Sequence, residues 1–127
     1  MTKTILIVDE DRDLVKQLGD RCRSMGLTVK RAHSAYDAMS IMDERLPDLV
    51  CLDVHMPTGA DLSICQMMTT DDEAARIPVI VMTETKTEHT VALAADMCAY
   101  FVRKSPTLQD RIEPVVEELV DIQTAKV

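Results

Sequence analysis

Aromatic side chains are almost absent from this sequence of 127 residues, which has two Tyr, one Phe and no Trp. Proteins that stack nucleic-acid bases or cage cationic ligands depend on such rings. Positive charge is also in deficit, because 22 acidic residues outnumber 14 basic ones and leave a formal net charge of −8. A protein that binds a phosphate backbone needs a basic surface. We therefore expect no direct nucleic-acid partner.

Long apolar runs are missing as well. A transmembrane helix needs about 18 or more consecutive apolar residues, and no such stretch occurs. The short apolar run after Lys3 ends in acids, whereas a secretory signal has a longer apolar region and a small-residue cleavage site. We expect a cytoplasmic protein without membrane insertion.

The cysteines form no Cys-x-x-Cys pair, and each lies within an apolar pattern that is typical of buried, reduced thiols. They are Cys22, Cys51, Cys65 and Cys98. With three Gly in the chain, no Gly-x-Gly-x-x-Gly or Walker sequence occurs, so nucleotide binding is unsupported. Hydrophobic residues make up 46% and charged residues 28%, as in globular domains. We expect residues 1–127 to form a single domain.

Four short apolar runs, each flanked by turn residues, are typical of strands buried on both faces. They cover residues 5–8, 49–52, 79–82 and 100–102. A more polar run over 28–32 favours an edge strand.

Between these runs, apolar residues recur at helical spacing and predict five helices. Gly26 is a stop signal for the first helix, Ser34 and Asp37 resemble a capping box for the second, and Pro106 lies near the start of the last. Five strand–helix units predict a mostly parallel sheet covered on both faces. The predicted stripes are Leu14, Leu18, Cys22 and Met25; Ala38, Ile41 and Met42; Leu62, Cys65 and Met68; Val91, Ala94, Ala95 and Cys98; and Leu108, Ile112, Val115, Val116 and Leu119.

Polar side chains follow the predicted strands, and in a parallel sheet these positions meet at one rim. Clustered carboxylates there suit Mg²⁺, which could hold a phosphate oxygen while a hydroxyl and an ammonium hold the others. For Asp11 alone, the cap of the next helix is the favoured interpretation. The rim residues are Asp9, Glu10 and Asp11; Asp53; Thr83; and Arg103 and Lys104.

The order and spacing of four pieces carry a resemblance over essentially the whole chain. The pieces are the run 5–8 with Asp9-Glu10-Asp11, Leu52-Asp53-Val54-His55-Met56-Pro57, the run 79–82 with Thr83, and Phe101-Val102-Arg103-Lys104. The sequence resembles a receiver domain of two-component response regulators. That resemblance implies the α/β, flavodoxin-like (βα)₅ fold, a doubly wound parallel sheet with strand order 2-1-3-4-5. It also implies a single receiver domain with no output domain on this chain.

The resemblance implies a role for each matching residue. Asp53 would accept a phosphoryl group from the phosphohistidine of a histidine kinase or phosphotransfer protein, and Lys104 would pair with the phosphoryl oxygens. Thr83 and Phe101 would form the switch that a downstream protein effector recognises. The ligands of Mg²⁺ would be Asp9, Glu10, Asp53 and the backbone carbonyl of His55. The resemblance leaves a phosphorylation-dependent dimer open. The domain would not be an enzyme, although it would assist its own phosphorylation and dephosphorylation.

Four positions depart from the family pattern. Glu10 stands where Asp is usual, Ser105 where Pro is usual, Glu84 where a small residue is usual, and Asp61 where Gly is usual. Because of Ser105 and Glu84, a degenerate receiver that acts only as a protein-docking module is kept as the alternative. Two other functions are disfavoured. An aspartyl phosphatase would need an acid at the position that His55 occupies. A flavin carrier would need hydrogen-bond donors to phosphate in the first loop, but that loop carries acids.

Overall fold

The structure, a computed structural model, describes residues 2–53, 71–84 and 100–125, with side chains described as far as residue 120. The predicted third and fourth helical stripes lie outside these ranges, as do Cys65, Cys98, His55 and Asp61.

Five strands form one parallel sheet in the order β2-β1-β3-β4-β5, which confirms the predicted order. Val8 of β1 pairs with Ala32 of β2 on one side and with Leu52 of β3 on the other, so these strands end level with one another. The strands are β1 (Thr4–Val8), β2 (Thr28–Ala32), β3 (Leu49–Asp53), β4 (Val79–Thr83) and β5 (Tyr100–Arg103).

Helices cover both faces of this sheet. The described helices are α1 (Arg12–Ser24), α2 (Ala35–Glu44), a short 3₁₀ helix (Ala74–Arg76) and the last helix (Leu108–Ala125). One core layer joins the sheet to α1 and the last helix, and the other joins it to α2 and the 3₁₀ helix. Every residue of β3 and β4 is buried, as their continuous apolar runs predict, whereas β2 is half exposed at the sheet edge.

The first helix begins and ends on local sequence signals. The side chain of Asp11 accepts a hydrogen bond from the backbone N–H of Leu14. Asp11 is therefore the N-cap of α1, which confirms the interpretation favoured from the sequence. At the other end, the N–H of Leu27 donates to Cys22 and that of Gly26 donates to Arg23. This pair of bonds is a Schellman motif, in which Gly26 takes a φ of 90°.

All four residues of the apolar stripe predicted for α1 lie in or against one core layer, which confirms that this face packs on the sheet. Leu18 and Cys22 are buried, but Leu14 and Met25 are only partly buried, and the helix also buries Val15 and Gly19. A Cβ on Gly19 would lie 3.3 Å from the Val29 side chain of β2. The helix therefore turns its smallest residue toward β2, and this close approach fixes its rotation.

The second and last helices begin as predicted. Ser34 is the N-cap of α2 and accepts from the N–H of Asp37.

Within the last helix, Val115 is only partly buried, and Pro114 lies inside the helix, where it supplies no N–H. The buried members of the last helix are Leu108, Ile112, Val116 and Leu119.

The cysteine prediction is confirmed for the two cysteines that the structure describes. Cys22 and Cys51 are both free and buried. Burial raises the pKa of the Cys22 thiol to about 11 and that of Cys51 well above its ordinary value. Both thiols are therefore protonated at neutral pH and behave as small apolar core residues.

Replacing Gly26 tests the Schellman motif. Space around the position is open, so only backbone strain opposes a side chain there. We expect Gly26→Ala to lower the free energy of unfolding by about 1 kcal/mol, and Gly26→Asn to lower it by less because Asn tolerates positive φ. Urea denaturation measures both. An Ala variant as stable as the wild type would show that α1 ends differently.

Candidate functional site

Three charged side chains meet at the carboxyl ends of the strands. Asp9 follows β1 directly, Asp53 is the last residue of β3, and Lys104 follows β5. Both acids are buried, with 1% and 3% of their surface exposed. The Nζ atom of Lys104 lies 2.6 Å from Oδ2 of Asp9 and 3.4 Å from Oδ2 of Asp53. One ammonium group is thus shared by two buried carboxylates.

The backbone and side chain of Asp9 are held at several points. Its N–H donates to the carbonyl of Ala32 at 3.0 Å, and its Oδ1 accepts from the N–H of Asp11 at 3.0 Å. Its own carbonyl lies 3.2 Å from Nδ1 of His33. Asp9 Oδ2 is buried and lies 2.6 Å from the Lys104 ammonium.

Lys104 is fixed by its backbone and by charge. Its N–H donates to the carbonyl of Thr83 at 2.6 Å, which ties the end of β5 to the end of β4. Burial alone would lower the pKa of Lys104, but the carboxylates of Asp9 and Asp53 outweigh burial and raise that pKa above its ordinary value. The side chain is therefore a cation throughout the neutral range.

The loop after Lys104 is organised by Ser105. The Ser105 hydroxyl accepts from the N–H of Thr107 at 3.3 Å, and its carbonyl accepts from the N–H of Leu108 at 3.0 Å. Pro106 therefore occupies the second position of a four-residue turn, where its fixed φ is favourable. The Lys104–Ser105 peptide bond is trans. The turn delivers the chain directly into the last helix.

Comparison with known proteins decides the family. Residues 5–114 match the profile of the response regulator receiver domain, which is most of the chain. The chain belongs to the response regulator receiver domain family. It is accordingly a signalling domain of the two-component type, and receivers interact with histidine kinases and downstream effectors.

Relatives and solved structures agree with this family. The chain is 30% identical over 83 residues to the polar-differentiation response regulator DivK of Brucella ovis, a match that covers 65% of this chain and 68% of that protein. The chemotaxis protein CheY4 of Vibrio cholerae has a similar fold, with a TM-score of 0.83, 14% identity, and coverage of 94% of this chain and 99% of CheY4. A CheY-like receiver domain protein from Methanospirillum hungatei gives a TM-score of 0.82 at 17% identity, covering 98% and 99%.

The donor set of this receiver suits a magnesium ion. Carboxylate oxygens are hard ligands of the kind that Mg²⁺ prefers, and Oδ2 of Asp9 is a buried oxygen without a well-formed hydrogen bond. Asp9 and Asp53 are brought together, but Glu10 is exposed. Within the described ranges, no three His, Cys, Asp or Glu side chains are grouped closely enough to hold a metal. The fourth predicted ligand, the carbonyl of His55, lies outside those ranges.

The predicted switch residues lie on the two strands nearest Lys104. Thr83 ends β4 and is fully buried, and it pairs in register with Arg103 of β5. Phe101 is partly buried and packs against the core layer that contains α2. Arg103 reaches back across the rim, where its Nε donates to the carbonyl of Glu84 at 3.3 Å. The Glu84 side chain itself is exposed.

Two further findings bear on the predictions. Along the part of the chain that the structure describes, no helix combines the length and apolar character needed to span a membrane. His33 is half-buried, and its Nδ1 lies 3.2 Å from the backbone carbonyl oxygen of Asp9. The sequence signal for His33 is its position one residue beyond β2, on the same rim as the acids.

Removing the shared ammonium tests the electrostatics of the site. We expect Lys104→Met to lower the free energy of unfolding by about 3 kcal/mol in the absence of metal, because two buried carboxylates then lack their cation. Millimolar Mg²⁺ should restore part of this loss by binding the folded state. Urea denaturation with and without Mg²⁺ measures both effects.

Lys16→Met is the matched control, because Lys16 forms an exposed ion pair with Asp20. It should change the free energy of unfolding by less than about 0.5 kcal/mol, with no special response to Mg²⁺. Equal losses in the two variants would show that the shared ammonium contributes nothing specific.

Proposed function

We propose that this receiver accepts a phosphoryl group on Asp53 from the phosphohistidine of a histidine kinase or phosphotransfer protein, with Mg²⁺ bound at the acidic rim. The observation that carries the proposal is the contact of Lys104 with both Asp53 and Asp9 at the end of the central strands. A carboxylate nucleophile, a neutralising cation and a second acid are thereby assembled within one site.

The chemistry that we propose is displacement at phosphorus. An Oδ atom of Asp53 forms a bond to phosphorus while the bond from phosphorus to the histidine nitrogen breaks, and the electron pair of that bond stays with the leaving imidazole. Negative charge is concentrated on the three phosphoryl oxygens during this exchange. Catalysis of such transfers depends on positioning and on charge neutralisation rather than on proton transfer.

Lys104 supplies the neutralising charge that belongs to the protein. Its ammonium lies 3.4 Å from Asp53, which is close enough to pair with an oxygen of a phosphoryl group attached there. A bound Mg²⁺, held by Asp9, Glu10, Asp53 and the carbonyl of His55, would neutralise a further part of that charge. If Lys104 pairs with a phosphoryl group, the buried carboxylate of Asp9 needs another cation, because a carboxylate stripped of water needs a partner.

We propose that Thr83 and Phe101 pass the signal to a downstream protein effector. Thr83 lies at the end of β4, and its carbonyl is bonded to the backbone of Lys104, so its position is coupled to the site. Phosphorylation would stabilise one arrangement of this region over another, which is a shift of population. We place the protein in the cytoplasm, and a phosphorylation-dependent dimer is one form that the output could take.

A receiver that acts only as a docking module would accept no phosphoryl group on Asp53. The departures that motivate it leave the contacts of Lys104 in place: Glu84 is exposed, and Ser105 forms an ordered turn. No specific observation favours a docking-only function.

Labelling by a small phosphodonor tests the acceptor. With acetyl phosphate and Mg²⁺, we expect the wild type to gain one phosphoryl group by intact mass, and Asp53→Asn to gain none because an amide is a poor nucleophile. Asp43→Asn, at an exposed position on α2, is the matched control and should be labelled like the wild type. Labelling of the Asp53 variant at the wild-type rate would refute the assignment.

The exposed position of Glu10 makes its role in metal binding a separate question. If Glu10 is a ligand, Glu10→Gln should weaken Mg²⁺ binding several-fold, because one anionic ligand is lost. Calorimetric titration measures this change, with Glu44→Gln, another exposed acid, as control. An unchanged dissociation constant for Glu10→Gln would assign the metal to Asp9 and Asp53 without Glu10.

A further inference from the structure

His33 forms a hydrogen bond at the point where β1 passes into the acidic loop. Its Nδ1 lies 3.2 Å from the backbone carbonyl oxygen of Asp9. A carbonyl oxygen only accepts hydrogen bonds, so the hydrogen must reside on Nδ1 of His33. The side chain is half-buried and follows β2 directly. His33 therefore acts as a donor to the peptide group that joins Asp9 to Glu10.

This bond continues the β1–β2 ladder by one step. The N–H of Asp9 donates to the carbonyl of Ala32, and in a continued parallel ladder the carbonyl of Asp9 would accept from the N–H of residue 34. At this point, however, the chain leaves the sheet, because Ser34 is the N-cap at which it turns into α2. The imidazole of His33 thus supplies the donor that the ladder loses where β2 ends.

The consequence falls on the acids of the rim. Both backbone polar groups of Asp9 are bonded at the end of β2. Its N–H donates to the carbonyl of Ala32, and its carbonyl accepts from His33, the residue that follows the strand. The peptide plane between Asp9 and Glu10 sets the direction in which the chain leaves β1, and so the orientation of both carboxylates. Groups that orient metal-binding side chains through one hydrogen bond strongly affect metal affinity.

We propose that His33 is a positioning residue for the cation site, and that it acts by donating Nδ1–H to the Asp9 carbonyl. This inference rests on the proposed function, since it presupposes that the acidic rim binds Mg²⁺. Its basis is hydrogen-bond donation to the backbone, with no direct contact between the imidazole and the cation. A side chain that keeps a donor at the same place should therefore replace His33.

Two variants of nearly equal size separate donation from packing. His33→Asn keeps an N–H donor near the position of Nδ1, whereas His33→Leu has the shape of Asn without the donor. We expect His33→Leu to weaken Mg²⁺ binding about tenfold and His33→Asn to stay within about twofold of the wild type. Calorimetry with Mg²⁺ alone gives the dissociation constants, and thermal unfolding in EDTA gives the stability of each metal-free variant. Tyr36→Ala, at an exposed position three residues on, is the surface control.

The outcomes are distinct. Weakened Mg²⁺ binding in the Leu variant with rescue in the Asn variant supports the inference. Equal weakening in both overturns it, because donation would then not be what matters, and wild-type affinity in the Leu variant overturns it as well. If the wild type is labelled at Asp53 but His33→Leu binds Mg²⁺ with wild-type affinity, this inference is refuted and the proposed function is not. Wild-type protein that binds no Mg²⁺ refutes both the inference and the metal site.

Discussion

The ammonium of Lys104, held between two buried carboxylates, is the interaction on which the rest of the site depends. Asp9 and Asp53 are almost completely removed from water, and two such anions side by side cost several kcal/mol unless a cation accompanies them. Each of the three groups comes from the end of a different strand. The sheet must therefore keep the ends of β1, β3 and β5 level with one another, or the ion pairs are lost.

The apolar interior supplies that rigidity. The strands β3 and β4 are buried along their entire length between two layers of side chains, and close-packed interiors resist small displacements. The bond from the Lys104 N–H to the Thr83 carbonyl extends the sheet to the base of the lysine itself. Core packing and site geometry are thus one constraint, because a shift of a strand by one residue would turn each side chain to the opposite face of the sheet and move the acids away from the rim.

The sequence predicts the strands and their ends well because both follow from patterns that tolerate little variation, whereas the strand order follows from the resemblance to receiver domains. Continuous apolar runs identify strands buried on both faces, and the residues that follow them must share a rim, which is how Asp9, Asp53 and Lys104 are found. Glu10 is exposed, and its place among the metal ligands stays a prediction, because the direction of a loop side chain depends on one or two backbone angles that a residue pattern does not specify. The contact of His33 with Asp9 is not predicted for a related reason: its partner is a backbone carbonyl, and a position at the rim does not by itself identify such a partner.

The unequal contacts of Lys104 have a chemical consequence. Its ammonium is closer to Asp9, at 2.6 Å, than to Asp53, at 3.4 Å, and the attraction between charges falls with distance. Asp9 is therefore the closer of the two partners that hold this cation. A phosphoryl group on Asp53 would compete with Asp9 for the same ammonium, so the carboxylate of Asp9 would then need another cation. In the proposed function, lysine and divalent metal would be complementary: the lysine stabilises the acids without metal, and a bound metal would leave the lysine available to the phosphoryl oxygens.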